Sequence, residues 1–131
     1  MKILRFSTAL LLLFAIYTVA AAQHHFSAKV YDEFHDVLHP LEHEALPNKD
    51  YRRIRSQSAE LLKRGKRIVK AGVPEALAGD KRTEFVSEMK AFDVALNKLK
   101  TTARRGKNSQ LASSYSAVHD SFEKLMGMLP R

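Results

Sequence analysis

Four stretches of this 131-residue chain carry apolar side chains at every third or fourth position, and this spacing most constrains the fold. Residues so spaced lie on one face of an α-helix, whereas the side chains of a β-strand repeat every two residues. No strand-like alternation of any length occurs in the sequence. The third stretch shows the pattern most regularly, because its apolar residues have the four-three spacing of a bundle seam: Phe85, Met89, Phe92, Leu96 and Leu99.

Turn-forming residues set the ends of four predicted helices, at about 26–45, 51–71, 80–103 and 109–128. Asn48 or Asp50 can cap the second helix, Asp80 can cap the third, and Gly72 ends the second. We expect Phe34, Phe85, Phe92 and Phe122 inside, together with Phe26, Val30, Val37, Leu41, Ala45, Ile54, Leu61, Leu62, Ile68, Val69, Leu111, Tyr115, Val118 and Leu125. Helices of about twenty residues joined by short loops predict an all-α, antiparallel up-down four-helix bundle.

The first 22 residues are expected to be a signal peptide. Lys2 and Arg5 form a basic start, residues 9–16 are an apolar run, and residues 20–22 are the small alanines that a signal peptidase requires. We predict cleavage before Gln23, a bundle domain over 23–131 and a periplasmic or secreted location, with an uncleaved membrane anchor as the alternative. The sequence contains no cysteine, which excludes disulfides, thiolate metal sites and thioether-linked haem.

Five of the six histidines lie between residues 24 and 43, and His35, His39 and His43 follow one another at intervals of four. This interval stacks side chains on one helical face, about 6 Å apart, and two imidazoles so placed can share a metal ion. With Phe34 at the centre of the apolar stripe, His35 flanks the core and His43 faces solvent. His119 has a similar flanking position on the last helix, so His35 and His119 are expected to meet across an interface.

Pro40 interrupts this series of histidines, because it lacks an amide hydrogen and disfavours helical geometry at the preceding residue. A kink there could move His43 away from its straight-helix direction. We predict one divalent transition-metal site formed by His35, His39, His43 and His119, with Cu(II), Zn(II) and Ni(II) left open. The alternative is that these histidines are polar surface residues.

A second metal site is predicted at the new N-terminus, Gln23-His24-His25. Its free amine, two deprotonated amides and the imidazole of His25 would form a square-planar chelate for Cu(II) or Ni(II). Cyclisation of Gln23 would remove the amine and abolish this chelate. The alternative is a frayed terminus in which His24 and His25 have no role.

Charge divides the chain into two parts. Residues 23–50 have a net charge of −4 and contain the clustered histidines, so their carboxylates favour a bound cation. Residues 51–107 have a net charge of +10, and the second helix is strongly basic at 52–55 and 63–70. This helix is either a solvated face or a surface for anionic lipid, another polyanion or an acidic envelope protein. Nucleic acid is not expected, because the chain is predicted to be exported, and the lack of aromatic residues among the basic ones also argues against binding of single strands.

The last helix contains a short stretch that resembles a known family. Gln110-Leu111, followed by Ala117-Val118-His119, resembles the closing helix of soluble periplasmic b-type cytochromes. In addition, Tyr115 and Val118 stand where cytochrome c-prime carries the two cysteines of its haem-attachment motif. The resemblance implies a four-helix bundle that holds haem through His119.

The chain departs from this family in two ways, since it has no attachment cysteines and no methionine in its first mature helix. A non-covalent haem b, held by His119 with His35 or His39, is the form of the resemblance that these residues allow. It would imply an electron-transfer protein with a redox partner.

Three functions are therefore open at this point. They are an exported metal-binding protein for buffering, delivery or sensing, a haem protein, and a basic envelope adaptor without a cofactor. We do not expect an enzyme, because the sequence has no phosphate-binding glycine loop and no specific nucleophile motif. His119 and Asp120 could be read as a catalytic pair, but adjacent side chains on a helix are expected to point about 100° apart.

Overall fold

The computed structural model describes residues 28–131, and this part of the chain is helical, with no β-strand. The elements are α1 (Lys29–Pro40), a π-helical turn (Leu41–Ala45), α2 (Tyr51–Ala71), α3 (Gly79–Arg105) and α4 (Asn108–Met128). The all-α prediction is therefore confirmed for this part, and the packing is compatible with a helical bundle. The predicted signal peptide, Phe26 and the pair His24 and His25 lie outside the described residues. Within 28–131, no helix has the length and apolar character needed to cross a membrane.

An aromatic cluster forms the centre of the core and joins three helices. Phe34 of α1 packs edge-on against Phe92 of α3, with ring centroids 5.4 Å apart, and against Phe122 of α4 at 4.8 Å. These rings and Phe85 are fully buried, which confirms the four phenylalanines predicted inside. Because burying each such side chain contributes about 1.5–3 kcal/mol, this cluster is a main source of the stability of the fold.

Helix α2 has the predicted bounds, because its first and last turns carry strong local signals. Asp50 Oδ1 accepts a hydrogen bond from the Arg53 amide at 3.0 Å, which satisfies a free donor of the first turn. Gly72 ends the helix with φ of +73°, a backbone conformation that suits glycine. Both positions were identified from the sequence.

Helices α2 and α3 approach each other closely at Gly65. A Cβ atom at Gly65 would lie only 2.6 Å from Leu96 Cδ1, and Leu96 is fully buried. Ser58, another small residue of α2, is also buried and donates its hydroxyl to the Ile54 carbonyl at 2.7 Å. Small side chains on α2 thus allow the large apolar residues of α3 to reach the helix backbone.

The start of α3 differs from the prediction, whereas that of α4 agrees with it to within one residue. The cap predicted at Asp80 is wrong, because α3 begins one residue earlier, at Gly79, and Asp80 lies in its first turn. A carboxylate there still interacts favourably with the helix dipole. Helix α4 begins at Asn108, and the side chain of Gln110 accepts a hydrogen bond from the Lys107 amide at 2.8 Å.

The inward face of α1 is rotated from the predicted one. Val30 and Val37, predicted inside, are half-buried at the edge of the core, whereas the larger Tyr31 and Leu38 are fully enclosed. Phe34 lies on both the predicted and the observed inward face. Since the apolar side of α1 is wide, the larger side chains take the centre, where they bury more apolar surface.

The predicted disturbance at Pro40 takes the form of the π-helical turn. Beyond the proline, amides donate five residues back instead of four: Leu46 N–H to the Leu41 carbonyl at 2.9 Å, and Asp50 N–H to the Ala45 carbonyl at 2.8 Å. Pro40 itself has no amide hydrogen, so it interrupts the regular ladder. Leu41 and Ala45 nevertheless stay buried, and the turn therefore keeps its apolar side on the core.

Candidate functional site

The three histidines of the first helix form a row of neighbouring rings. The centroids of His35 and His39 are 5.2 Å apart, and those of His39 and His43 are 4.2 Å apart. The four-residue interval therefore brings the rings together, across the junction between α1 and the π-helical turn. His39 and His43 are exposed, as the helical phase predicted for His43, and His35 is half-buried.

His35 is held against the core by an aromatic contact. Its ring stacks on Phe122 of α4, with centroids 6.2 Å apart and planes inclined by 27°. His35 thus flanks the core, as predicted. This contact orients the inner end of the histidine row, whereas the outer end faces solvent.

His119 lies on α4, one turn before Phe122, and its side chain is only 26% exposed. Its Nδ1 atom is 3.2 Å from Asp120 Oδ1, although side chains of adjacent residues leave a helix about 100° apart. The Cα–Cβ bonds do diverge, but rotation about the side-chain bonds brings the two polar ends together. Asp120 is exposed, at 75% of its side chain, and the pair forms a surface contact.

The structure brings the row of three histidines together but gives no ring contact between His119 and the histidines of α1. Within residues 28–131, no group of three or more histidine, cysteine, aspartate or glutamate side chains is arranged to hold a metal ion. The two imidazoles that lie closest are His39 and His43. The site that includes His35 and His119 stays a prediction, as does the terminal site at His24 and His25.

A buried tyrosine supports the backbone beneath this row. The Tyr115 hydroxyl of α4 donates a hydrogen bond to the Leu38 carbonyl at 2.8 Å, next to His39. Burial, assisted by the nearby carboxylate of Glu42, raises the pKa of Tyr115 well above its usual range, so the hydroxyl stays a neutral donor. Sequence reasoning placed Tyr115 inside but missed this contact, because an apolar stripe does not show where a hydroxyl points.

The packing between α1 and α4 does not fit a haem at the place that the cytochrome resemblance implies. Tyr115, Val118 and Phe122, which surround His119 on α4, are fully buried. Phe122 is in contact with Tyr31 at 6.2 Å as well as with Phe34. A porphyrin between these helices would have to displace these side chains, and the haem site at His119 stays a prediction.

Ion pairs neutralise much of the charge between α1 and α2. Arg67 and Arg64 of α2 bind the side chain and the carbonyl of Glu33, respectively, and Arg53 binds Glu44 at 2.8 Å. By contrast, Asp36, which is one turn before His39, is exposed and has no ion pair with another described residue. Free negative charge therefore lies beside the histidines.

Several basic side chains of α2 also bind other residues of the protein. Lys66 binds Asp93 of α3, and Arg55 donates to carbonyls at the α3–α4 turn. Arg52, Lys63 and Lys70 are exposed and form no ion pair within 28–131. The surface for a polyanion or anionic lipid predicted on α2 therefore stays a prediction resting on three free cations.

Comparisons of this chain with protein-family models, with curated proteins and with solved structures find no match in any of the three.

Proposed function

We propose that this chain is an exported helical-bundle protein that binds a divalent transition-metal cation through His39 and His43. The observation that carries the proposal is the 4.2 Å separation of these two exposed rings. His35, 5.2 Å from His39, is the next available ligand. The role that suits such a site is buffering, delivery or sensing of Cu(II), Zn(II) or Ni(II).

The chemistry of the pair supports a readily exchanged metal. Neutral imidazole is a good ligand for all three ions, and two imidazoles one helical turn apart can bind the same ion. Two protein ligands leave coordination positions for water or for groups of a partner. A structural site would instead be closed by four protein ligands. The free carboxylate of Asp36, one turn before His39, adds favourable electrostatics for a cation.

The proposal includes an antiparallel up-down arrangement and removal of residues 1–22. Contacts between opposite ends of consecutive helices support the arrangement, because residues early in one helix meet residues late in the next. The pairs are Glu33 with Arg67, Arg55 with Thr102, and Glu88 with Lys124. The basic start, apolar run and three alanines of the sequence support the signal peptide.

Calorimetric titration of the untagged protein with Cu(II), Zn(II) and Ni(II) tests the site. We expect His39→Ala and His43→Ala each to weaken binding at least about tenfold, since each removes one of two ligands. His35→Ala should have a smaller effect. Imidazole must be unprotonated to bind, so affinity should fall as the pH is lowered from about 7.5 to about 5.

Two further variants separate the competing sites. The double variant His24→Ala/His25→Ala should leave binding unchanged, and loss of Cu(II) binding in it alone would assign the site to the N-terminus. If His119→Ala weakened binding as much as His39→Ala, the interhelical site would be correct instead. Unchanged affinity in both the His39 and the His43 variant would refute the proposal.

A further inference from the structure

The outward face of α3 carries an unusual set of free cations. Seven basic side chains on this helix are exposed and form no ion pair with any residue in 28–131. Lys81 and Arg82 lie in its first turn, and the other five lie further along: Lys90, Lys98, Lys100, Arg104 and Arg105. Two of the acidic residues of α3 are engaged elsewhere, because Asp93 binds Lys66 of α2 and Glu88 binds Lys124 of α4. Asp80 and Glu84 are exposed and form no ion pair within 28–131, but they lie near the start of α3, so the free charge is strongly positive from Lys90 onward.

Two valines lie on the same face as these cations. Val86 and Val94 are 50% and 60% exposed, and among the described residues they are the large hydrophobic side chains that face solvent. Val86, Lys90 and Val94 follow at intervals of four, and Asn97, Thr101 and Arg104 continue the series at three and four. The face thus runs for about 27 Å along one side of α3, with the two valines and Lys90 in one half and the other four cations in the second half.

Two adjoining cavities mark the basic end of this face. One, of about 330 Å³, is lined by Asn97, Lys100, Thr101, Arg104 and Arg105. The other, of about 210 Å³, shares Lys100 and Arg104 and reaches the apolar side chains of Ala59, Leu62 and Ala103 between α2 and α3. Neither lining includes a carboxylate. An anionic group can therefore approach Lys100 and Arg104 without like-charge repulsion, next to an apolar floor.

We propose that this face of α3 docks the protein on the surface of a bilayer that contains anionic phospholipid. Lys100, Arg104 and Arg105 contact headgroup phosphates, and Val86 and Val94 enter the headgroup region. The exposed valines favour a lipid surface over a polysaccharide, because a polysaccharide offers them no apolar environment. Near an anionic membrane, each such cation strengthens binding about fivefold. The inference goes beyond the metal site, which lies on α1, and does not depend on it.

Co-sedimentation of the full chain with vesicles tests this proposal. The vesicles contain either phosphatidylcholine alone or an equal mixture with phosphatidylglycerol. The phosphatidylcholine vesicles report any binding through the apolar run at 9–16, which does not require anionic lipid. We expect the mixed vesicles to bind at least about tenfold more strongly, with the difference decreasing as salt is raised.

Two matched variants identify the face. Lys100→Glu/Arg104→Glu should weaken binding to the mixed vesicles by about 30-fold or more. Lys63→Glu/Lys70→Glu makes the same change in net charge at two free lysines of α2, and should weaken it by less than about fivefold. Val86→Ser/Val94→Ser should weaken binding to the mixed vesicles a few-fold, because it removes two apolar groups that are partly buried in the bilayer. The salt dependence of binding should not change in this variant.

Three outcomes would overturn the proposal. Equal losses in the two charge-reversal variants would show an effect of net charge without a defined face. Equal binding to both kinds of vesicle would show that anionic lipid is not recognised. Retention on a sulfated polysaccharide without binding to the mixed vesicles would assign the cations to a polysaccharide. Circular dichroism of each variant verifies that the helices are intact.

Discussion

The first and third helices contribute to the same core by different means. Helix α3 is a regular helix of 27 residues, and its buried side chains keep the seam spacing from Phe85 to Leu99. Helix α1 has only 12 residues, contains Pro40 in its last turn and passes into the π-helical turn. Helices of about 12 residues are marginal alone, so α1 depends on contacts from its neighbours. The helical periodicity of α3 is thus visible in its own sequence, whereas the conformation of α1 also depends on residues of the other helices that contact it.

Both helices contribute to the aromatic cluster, and a substitution there is expected to have the largest effect on the free energy of unfolding. Phe92→Ala should lower the free energy of unfolding by about 3–5 kcal/mol, the usual range for emptying a buried ring. Phe92 is fully buried and touches Phe34 of α1 and Phe122 of α4, at 5.4 Å and 6.4 Å between centroids. Urea denaturation followed by circular dichroism measures the change.

Val94→Ala, two residues along the same helix, is the matched control. Val94 is 60% exposed, so this variant should change stability by no more than about 0.5 kcal/mol. A loss below about 1 kcal/mol for Phe92→Ala would mean that the cluster is not the centre of the core.

An intermediate effect is expected at the side chain that holds the end of α3. The Arg55 guanidinium donates to the carbonyls of Thr102 and Ala103 at 3.0 Å each and to that of Gly106 at 2.8 Å. The carbonyls of Ala103 and Gly106 are at or just beyond the C-terminal end of the helix, where carbonyls lack helical partners, whereas that of Thr102 also accepts the Gly106 amide at 2.8 Å. Arg55→Ala should cost about 2 kcal/mol, typical for hydrogen bonds to a charged donor.

Two further substitutions test whether the charge of Arg55 or the geometry of its hydrogen bonds accounts for this loss. Arg52→Ala removes an exposed, unpaired arginine of α2 and should be nearly neutral. Arg55→Lys keeps the charge but lacks the planar fork, so it should recover only part of the loss. If Arg55→Lys were as stable as the wild type, charge rather than geometry would hold the turn.

The smallest effect is expected at the contact that holds α1. Tyr115→Phe removes the hydroxyl that donates to the Leu38 carbonyl and should cost about 1 kcal/mol at pH 7, because the Leu41 amide still donates to that carbonyl. Tyr51→Phe is the control, since Tyr51 is only half-buried. Hydrogen exchange of the α1 amides should rise in the Tyr115 variant and not in the control.

Alkaline pH tests the hydroxyl of Tyr115, which, like that of Tyr31, has a pKa raised by burial. Its pKa is raised in the folded protein, by burial first and by Glu42 second, whereas the unfolded chain has an ordinary tyrosine. The folded state therefore holds its proton more tightly, so this stabilisation is complete below about pH 10 and is lost as the pH rises further. The loss is about 1.4 kcal/mol per pH unit for one tyrosine. Tyr115→Phe should lose less stability than the wild type between about pH 10 and 11.5, and parallel curves would contradict the assignment.

The sequence predicted the regular parts of the fold from local signals. The seam of α3 and the inward face of α4 follow helical periodicity, and the core confirms them. The ends of α2 follow from a capping carboxylate at Asp50 and a glycine at Gly72. Such signals involve residues within one turn of each other, so they do not depend on the rest of the structure.

The irregular parts required information from other helices. The sequence indicated a disturbance at Pro40 but not its π-helical form, and it did not show that Leu38 replaces Val37 inside. The contact of the Leu38 carbonyl with the Tyr115 hydroxyl joins residues of different helices, which no local pattern reveals. For the site, the sequence predicted the row formed by His35, His39 and His43, because a four-residue interval acts within one helix. It did not predict the exposed face of α3, since only the structure shows which of sixteen basic residues in 51–107 are already engaged.

The contact between Gly65 and Leu96 has a consequence for how this sequence can change over time. A methyl group at position 65 would overlap the Leu96 side chain, so the two positions share a fixed volume. In a library randomised at both positions, alanine at 65 should be recovered with a residue smaller than leucine at 96, and leucine at 96 with glycine at 65. A larger residue at 65 alone would displace the Leu96 side chain, and a smaller residue at 96 alone would leave a cavity, so the two positions should evolve as a pair.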